Sequence, residues 1–296
     1  MMCKYILSCC STIDLSKEYI EKRDIHIISF HYSLGDKEYM DDLGQTIPLK
    51  EFYQRMAEGE MTKTSQVNVE DYIEYFEEFL KDGKDILHLT LSSGISGTIN
   101  SCRIAKADLE DRYPERKIII IDSLAASSGY GLLMDKLADL RDQGKSMEEV
   151  ASWAEEHKLE MNHWFFSSDL TFFIRGGRIK PTAGFVGKVL NICPFMNVDL
   201  NGKLIVRQKI RTKKKVIQTM VSKCLELIKD GKNYSDKIYM SNSACYDDAR
   251  KVADLLEKEL PAMKGQVEIF DIGTTIGSHT GPGTVALFFW GDKRED

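Results

Sequence analysis

The chain has 296 residues, about twice the ~150-residue length of a typical domain, so two domains or one large α/β unit is expected. Forty Lys plus Arg against 46 Asp plus Glu give a formal net charge of −6, which speaks against a protein that coats nucleic acid or an anionic membrane. A 43% hydrophobic and 29% charged composition excludes disordered and fibrous classes.

The amino terminus, Met1 to Cys10, carries one basic residue and an apolar run too short for a secretory signal, so a cytoplasmic location is expected. Tyr5 to Cys9 reads as a strand, Leu15 to Lys22 as a helix and Ile25 to Phe30 as a strand. Pro48 and Gly59 bracket a helix over Leu49 to Glu58, and Tyr72, Ile73, Phe76, Phe79 and Leu80 repeat at helical spacing before Gly83. Ile86 to Leu91 is a strand, followed by a Gly/Ser turn, a helix through Ile104 and Leu109, and the apolar strand Ile118 to Ile121. Strands alternating with helices imply a doubly wound parallel sheet. Ser146 and Glu149 form a capping box that opens a helix through Val150 and Trp153.

After about residue 160 the pattern changes. Asn201-Gly202 between two strand-like runs predicts a hairpin with a two-residue loop, so antiparallel strands enter. A helix through Val216 to Leu227, a strand at Ile238 to Met240, a helix at Ala249 to Leu256 and strands at Val267 to Ile269 and Val285 to Trp290 complete a mixed layer. The expected division is an α/β domain at 1–162 and a mixed α/β domain at 163–296. The charge-free stretch Ile272 to Gly291 reaches membrane-spanning length, but its glycines, proline and hydroxyl residues would be poorly satisfied in lipid. It reads as loop plus strand, without stable membrane insertion. Seven scattered cysteines lack zinc spacing and read as reduced, buried thiols; no metal or other cofactor is implied.

Four segments rich in hydroxyls and glycine fall where strands hand over to helices, the usual place for ligands in such folds. They are Thr64-Ser65-Gln66, Ser92 to Thr98, Asp122 to Gly129, and Gly273 to Gly283, whose glycines fix a loop around His279. The second matches neither a P-loop nor a dinucleotide-binding turn, and it suits a small anion as well as it suits a tight turn. Arg175-Gly176-Gly177-Arg178 sets two guanidinium groups for carboxylate or phosphate, or forms a plain surface turn. Arg207, Lys209 and Arg211 share one strand face by the period of two, and Lys213 to Lys215 crowd a helix start against its dipole; such a run is usually a solvated face, and this placement hints at an acidic partner or a phosphate.

Thr64-Ser65-Gln66, Leu91 to Thr98, Asp122-Ser123, Ile174 to Ile179 and His279 to Gly283, in this order and spacing, together resemble the DegV family. That family comprises fatty-acid-binding proteins, including carrier subunits of bacterial fatty acid kinase. The resemblance covers essentially the whole chain and implies two α/β domains with a long-chain fatty acid between and within them. It implies that Thr64, Ser96 and His279 hold the carboxylate, with Ser65, Ser93 and Arg175 nearby, and that the kinase's catalytic subunit phosphorylates the bound acid. The carrier is then not itself an enzyme, and Arg178, Arg207 and Arg211 are candidates for docking the kinase. One departure is plain: the family's Thr-Asp-Ser after the first strand is Cys9-Cys10-Ser11 here, and Cys10 supplies no fixed charge.

A tail of about 15 methylenes at ~0.8 kcal/mol each supplies on the order of 12 kcal/mol before ordering costs, while the polar donors offset desolvation of the acid. Candidate tunnel walls are Phe185, Val186, Val189, Leu190, Ile192, Phe195, Met220 and Phe288, each of which ordinary core packing explains as well. Two other classes stand beside this one. An esterase would use Ser93 or Ser96 with His279, but no G-x-S-x-G elbow is present. A nucleic-acid-binding regulator built on the basic run conflicts with the acidic total.

Overall fold

The structure is a computed structural model and describes residues 5–180 and 192–294. Strand β1 (Tyr5–Cys10) leads through a turn of 3-10 helix into α1 (Lys17–Lys22), capped by the Ser16 hydroxyl, and returns as β2 (Ile25–Ile28). A hairpin follows, β3 (His31–Leu34) and β4 (Lys37–Met40), then α2 (Leu49–Ala57) and β5 (Thr62–Ser65). Next come α3 (Val69–Lys81), β6 (Asp85–Thr90), α4 (Thr98–Arg112), β7 (Ile118–Asp122), α5 (Ser127–Asp142) and α6 (Met147–His157). Asn68 with Asp71, and Ser146 with Glu149, close complete capping boxes on α3 and α6, each satisfying two otherwise orphaned backbone donors.

The remainder runs β8 (Met161–Ser167), α7 (Thr171–Arg175), β9 (Ile192–Val198), β10 (Leu204–Arg211), α8 (Lys213–Leu227), β11 (Ile238–Asn242), α9 (Tyr246–Glu259), β12 (Val267–Asp271), α10 (Thr274–Thr280) and β13 (Thr284–Trp290). Among the described residues, three sheets result. A parallel sheet has the order β2-β1-β6-β7, a mixed sheet β10-β9-β8-β13-β11-β12, and a small antiparallel sheet β4-β3-β5. In the first, the chain winds outward in opposite directions from β1 and β6, so the carboxyl ends of these two strands open the crevice where such sheets bind ligands.

Helix α5 lies between the two large sheets, touching β1 on one side and β8, β11 and β13 on the other. That explains why it is buried nearly all round and shows no clear polar face. One apolar cluster consequently runs from Leu7 and Leu89 through Leu133 and Leu137 to Phe289.

The structure corrects several sequence expectations. The small antiparallel sheet is absent from them, and Thr64-Ser65 stands on its strand β5 rather than in a turn. The 199–203 hairpin loop closes with Asp199 N donating to the Lys203 carbonyl, leaving three residues in the loop, not two. The Asp199 carboxylate accepts from Asn201 N and Lys203 N, and Gly202 takes the left-handed conformation at φ +72°. The stretch around His279 is the helix α10, with left-handed glycines at 281 and 283 after it. Arg207 is the additional residue of a bulge in β10, so the two-residue register holds for Lys209 and Arg211 but not for Arg207. Of the expected tunnel walls, Phe185, Val186, Val189 and Leu190 lie outside the described residues. Phe195 stacks on Trp164 at 5.0 Å on the face that α8 covers, with Met220 buried in α8, so both belong to that side of the sheet.

Candidate functional site

Side chains alternate along β5, so Thr64 turns inward while Lys63 and Ser65 stay exposed. Facing it, α10 presents His279 from its last turn, with Thr64 Oγ1 and His279 Nε2 2.7 Å apart. Gly176 makes room for the imidazole, since a Cβ there would overlap Nδ1. Nδ1 is buried and has no hydrogen-bond partner. Burial, with the Arg178 charge adding to it, lowers the His279 pKa to about 4, so the ring is neutral at physiological pH.

Helix α10 is held in place from beneath. Gly273 N at its start donates to Asp14 Oδ1 at 2.9 Å, and Asp41 Oδ2 accepts from Ser11 Oγ at 3.1 Å and Thr275 N at 3.4 Å. Burial raises the pKa of both carboxyls, Asp14 well above its ordinary range. Ser127 completes the anchor: at φ +55° it donates to Asp14 and lies 2.9 Å from the Ser241 hydroxyl. A non-glycine residue at positive φ costs about 1 kcal/mol or more, and here the two bonds hold it.

Behind the Thr64–His279 pair lies an apolar cavity of about 730 Å³, counting its open mouth. Loop residues Leu91 and Ile95 wall it on one side, Phe173 of α7 and Ile276 of α10 on another, and Phe165, Val198, Ala286 and Phe288 of the mixed sheet form its floor. Strand register puts Phe165 opposite Ala286 and His163 opposite Phe288, so one sheet face lines the cavity lengthwise.

The sequence-predicted residues separate into two groups. Thr64 and His279 meet and line the cavity; Ser65, Ser93, Ser96 and Arg175 are not among its lining residues. Ser65 is on the exposed face of β5. Ser93 is exposed and its N–H bonds Asp122 Oδ1 at 3.1 Å. The Ser96 hydroxyl accepts from Thr98 N at 3.2 Å at the start of α4. Arg175 is exposed, over the Phe172 ring at 5.5 Å and against Met61 Sδ at 3.3 Å. Nε2 of His279 is engaged with Thr64 and Nδ1 with nothing, so neither nitrogen meets a serine and nothing supports the esterase alternative.

Arg178, a candidate for docking in the sequence, lines the cavity as well. Its Nε donates to the Ile95 carbonyl at 3.2 Å and its Nη1 to the Gly176 carbonyl at 2.6 Å. Desolvation lowers its pKa. Together with Ile95 and Leu204 it also borders an open groove carrying Lys180, Lys203, Arg207 and Lys209. Arg207 Nε donates to Asn197 Oδ1 at 2.8 Å, and Arg211 is exposed at the end of β10. The unfavourable charge of Lys213 at the α8 start is answered by Asp248 at 2.7 Å.

Sequence reasoning missed Arg178 as a lining residue, as well as Ser127 and His163. Only the order of strands and the pleat could place them, although the apolar run before Arg178 hinted that its stem is partly covered. Cys10 is a buried thiol beneath α3, 3.4 Å from the Tyr72 hydroxyl, with burial raising its pKa to about 11. The departure from the family triplet therefore sits in the core and not on the cavity wall. Among the described residues, no group of three or more His, Cys, Asp or Glu could hold a metal ion, and no helix is long and apolar enough to cross a membrane.

Comparison with known proteins gives a family and a fold. The model of the DegV family, described as uncharacterised, matches residues 10–292. A DegV domain-containing protein of Clostridium perfringens is 37% identical over 295 residues, covering 99% of this chain and 100% of the relative. A DegV family protein from Thermus thermophilus, described by its fatty acid binding, superposes with a TM-score of 0.84 at 26% identity, covering 98% of this chain and 100% of that one. The fatty acid kinase B3 protein of Streptococcus pneumoniae, loaded with linoleic acid, has the same fold, with a TM-score of 0.84 at 22% identity over 98% of this chain and 100% of its own.

Proposed function

The chain belongs to the DegV family, and from that premise we propose that it binds one long-chain fatty acid in the apolar cavity and presents the carboxylate at the Thr64–His279 pair to a kinase catalytic subunit in the cytoplasm. The 2.7 Å contact between Thr64 Oγ1 and His279 Nε2 at the mouth of that cavity carries the reading. A neutral imidazole has one N–H. If Nε2 carries it, Thr64 accepts and its own hydroxyl proton is free; if Nδ1 carries it, Thr64 donates to Nε2 and Nδ1–H is free. Nδ1 is buried against Gly176, so the tautomer with the proton on Nε2 is the one that leaves a donor, the Thr64 hydroxyl, for the acid.

Arg178 adds charge. Two of its N–H groups are engaged with carbonyls, and the residue lines the same cavity with the remaining donors of its fork. A carboxylate left without donors in such a site would cost several kcal/mol, so these groups offset desolvation and fix register while the tail supplies affinity.

The partner follows from the resemblance in motifs, and the likeness to the pneumococcal protein carries the fold alone. The basic groove beside the mouth, with Lys180, Lys203 and Arg207, is where an acidic kinase surface would approach. The product would be the acyl phosphate, formed by the kinase and not by this chain. Delipidated protein titrated with palmitate or oleate is expected to bind one equivalent, and Thr64→Val with His279→Ala to weaken binding at least tenfold. With a fatty acid kinase catalytic subunit and ATP, acyl phosphate should form from the wild-type complex. Absence of uptake by the wild-type protein would refute the carrier reading.

A further inference from the structure

The far end of the cavity holds a side chain that the reading above does not use. His163 on β8 is 1% exposed, lines the cavity, and neither ring nitrogen has a hydrogen-bond partner. Burial and the Arg294 charge keep it neutral; the Met161 backbone opposes this but meets neither nitrogen in hydrogen-bond geometry. An unsatisfied imidazole in an apolar pocket is costly, so a ligand group that completes it gains affinity.

The Phe288 ring stands edge-on at 5.4 Å, and Gly129 of α5 lies against Nε2, where a Cβ would overlap it, so a completing group would reach the ring at Nδ1. Register fixes the depth. Thr284 pairs with Ser167 and Phe288 with His163, four residues further along, and the Thr284 hydroxyl bonds the carbonyl of Thr280, the neighbour of His279. At ~3.4 Å per residue His163 is about 14 Å from the head-group end. An extended carbon chain advances about 1.2 Å per bond, so the imidazole lies beside roughly carbons 9 to 13 of a straight acyl chain.

We propose that His163 is a specificity-determining residue that hydrogen-bonds a hydroxyl on the middle of the acyl chain, so that the preferred ligand is a hydroxylated long-chain fatty acid. The inference rests on the fatty-acid reading and refines it. A hydroxyl donates and accepts, and therefore satisfies either tautomer of the ring, whereas a keto oxygen satisfies only the N–H. Sites built to bond a hydroxyl discriminate strongly against ligands lacking it, because their own polar group is then left unpaired.

The test is calorimetric titration of the delipidated full chain with stearate and with hydroxystearates substituted at positions 6 to 14. At least one isomer near the middle of that series should bind tenfold or more tightly than stearate. His163→Leu should abolish the preference between hydroxystearate and stearate, and His163→Gln should retain part of it. If stearate binds as tightly as every isomer, a trapped water satisfies His163 and the proposal is overturned. The wild-type series decides even if a variant fails to fold. If none of the acids binds, the fatty-acid reading falls with it; if stearate alone binds, only this proposal does.

Discussion

At the level of single residues, the site depends on where His279 is held. Gly176 sits at φ −73°, a conformation open to any residue, so Gly176→Ala strains no backbone and acts only through the overlap of its Cβ with His279 Nδ1. Fatty acid affinity should drop about tenfold with thermal stability changed by less than ~1 kcal/mol, which titration and melting of the same sample would show. The same ring gives a pH signature. Its folded pKa of about 4 lies below the ordinary 6.5, so between these values the unfolded chain binds the extra proton. Wild-type stability should therefore fall relative to His279→Gln as pH drops from 7 to 4.5, and a relative rise over that interval would contradict the neutral buried ring. Thr64 and His279 were legible only as members of an ordered motif set. Nothing local in the sequence tells that one is on a strand, the other on a helix, and that they touch.

Among elements, the 199–203 hairpin loop ties the two large sheets together. Ser92 Oγ at the end of β6 donates to the Gly202 carbonyl at 2.8 Å, and a Cβ at residue 202 would overlap that hydroxyl. Gly202→Ala also forces alanine to φ +72°, so a loss of roughly 1 to 3 kcal/mol is expected in urea unfolding. An unchanged midpoint would show that the loop is not a structural tie. Elements with strong internal signals were readable: the capping box of Ser146 and Glu149, the parallel strands with apolar runs, and the Asn201-Gly202 turn within one residue. The sheet of β3, β4 and β5 was not. Lys37-Glu38-Tyr39-Met40 and Thr62-Lys63-Thr64-Ser65 are short, largely polar and exposed, so they lack the burial pattern that announces a strand. Helix α10 was hidden by its glycines, and its order comes from Asp14 and Asp41 far away in sequence.

Across the whole molecule, a buried charge joins the layers that enclose the cavity. Asp135 of α5 is 1% exposed and pairs with Arg23 Nε at 2.9 Å and with Lys237, while the Tyr19 hydroxyl donates to it at 2.9 Å. It links the α1 region to the strand β11 through the helix between the sheets. Asp135→Ala should cost about 2 to 3 kcal/mol, less than a fully buried pair because Lys237 is partly exposed, whereas Asp142→Ala at the surface should cost under ~0.5 kcal/mol. Comparable losses would mean that the network does not join the layers. The arrangement as a whole, two sheets sharing one helix beside an apolar cavity with a polar mouth, makes one demand that can be checked without mutation. Mass spectrometry of an organic extract from protein purified under native conditions should find one long-chain fatty acid per chain. Protein that yields no lipid, and takes none up when offered it, would contradict the central claim.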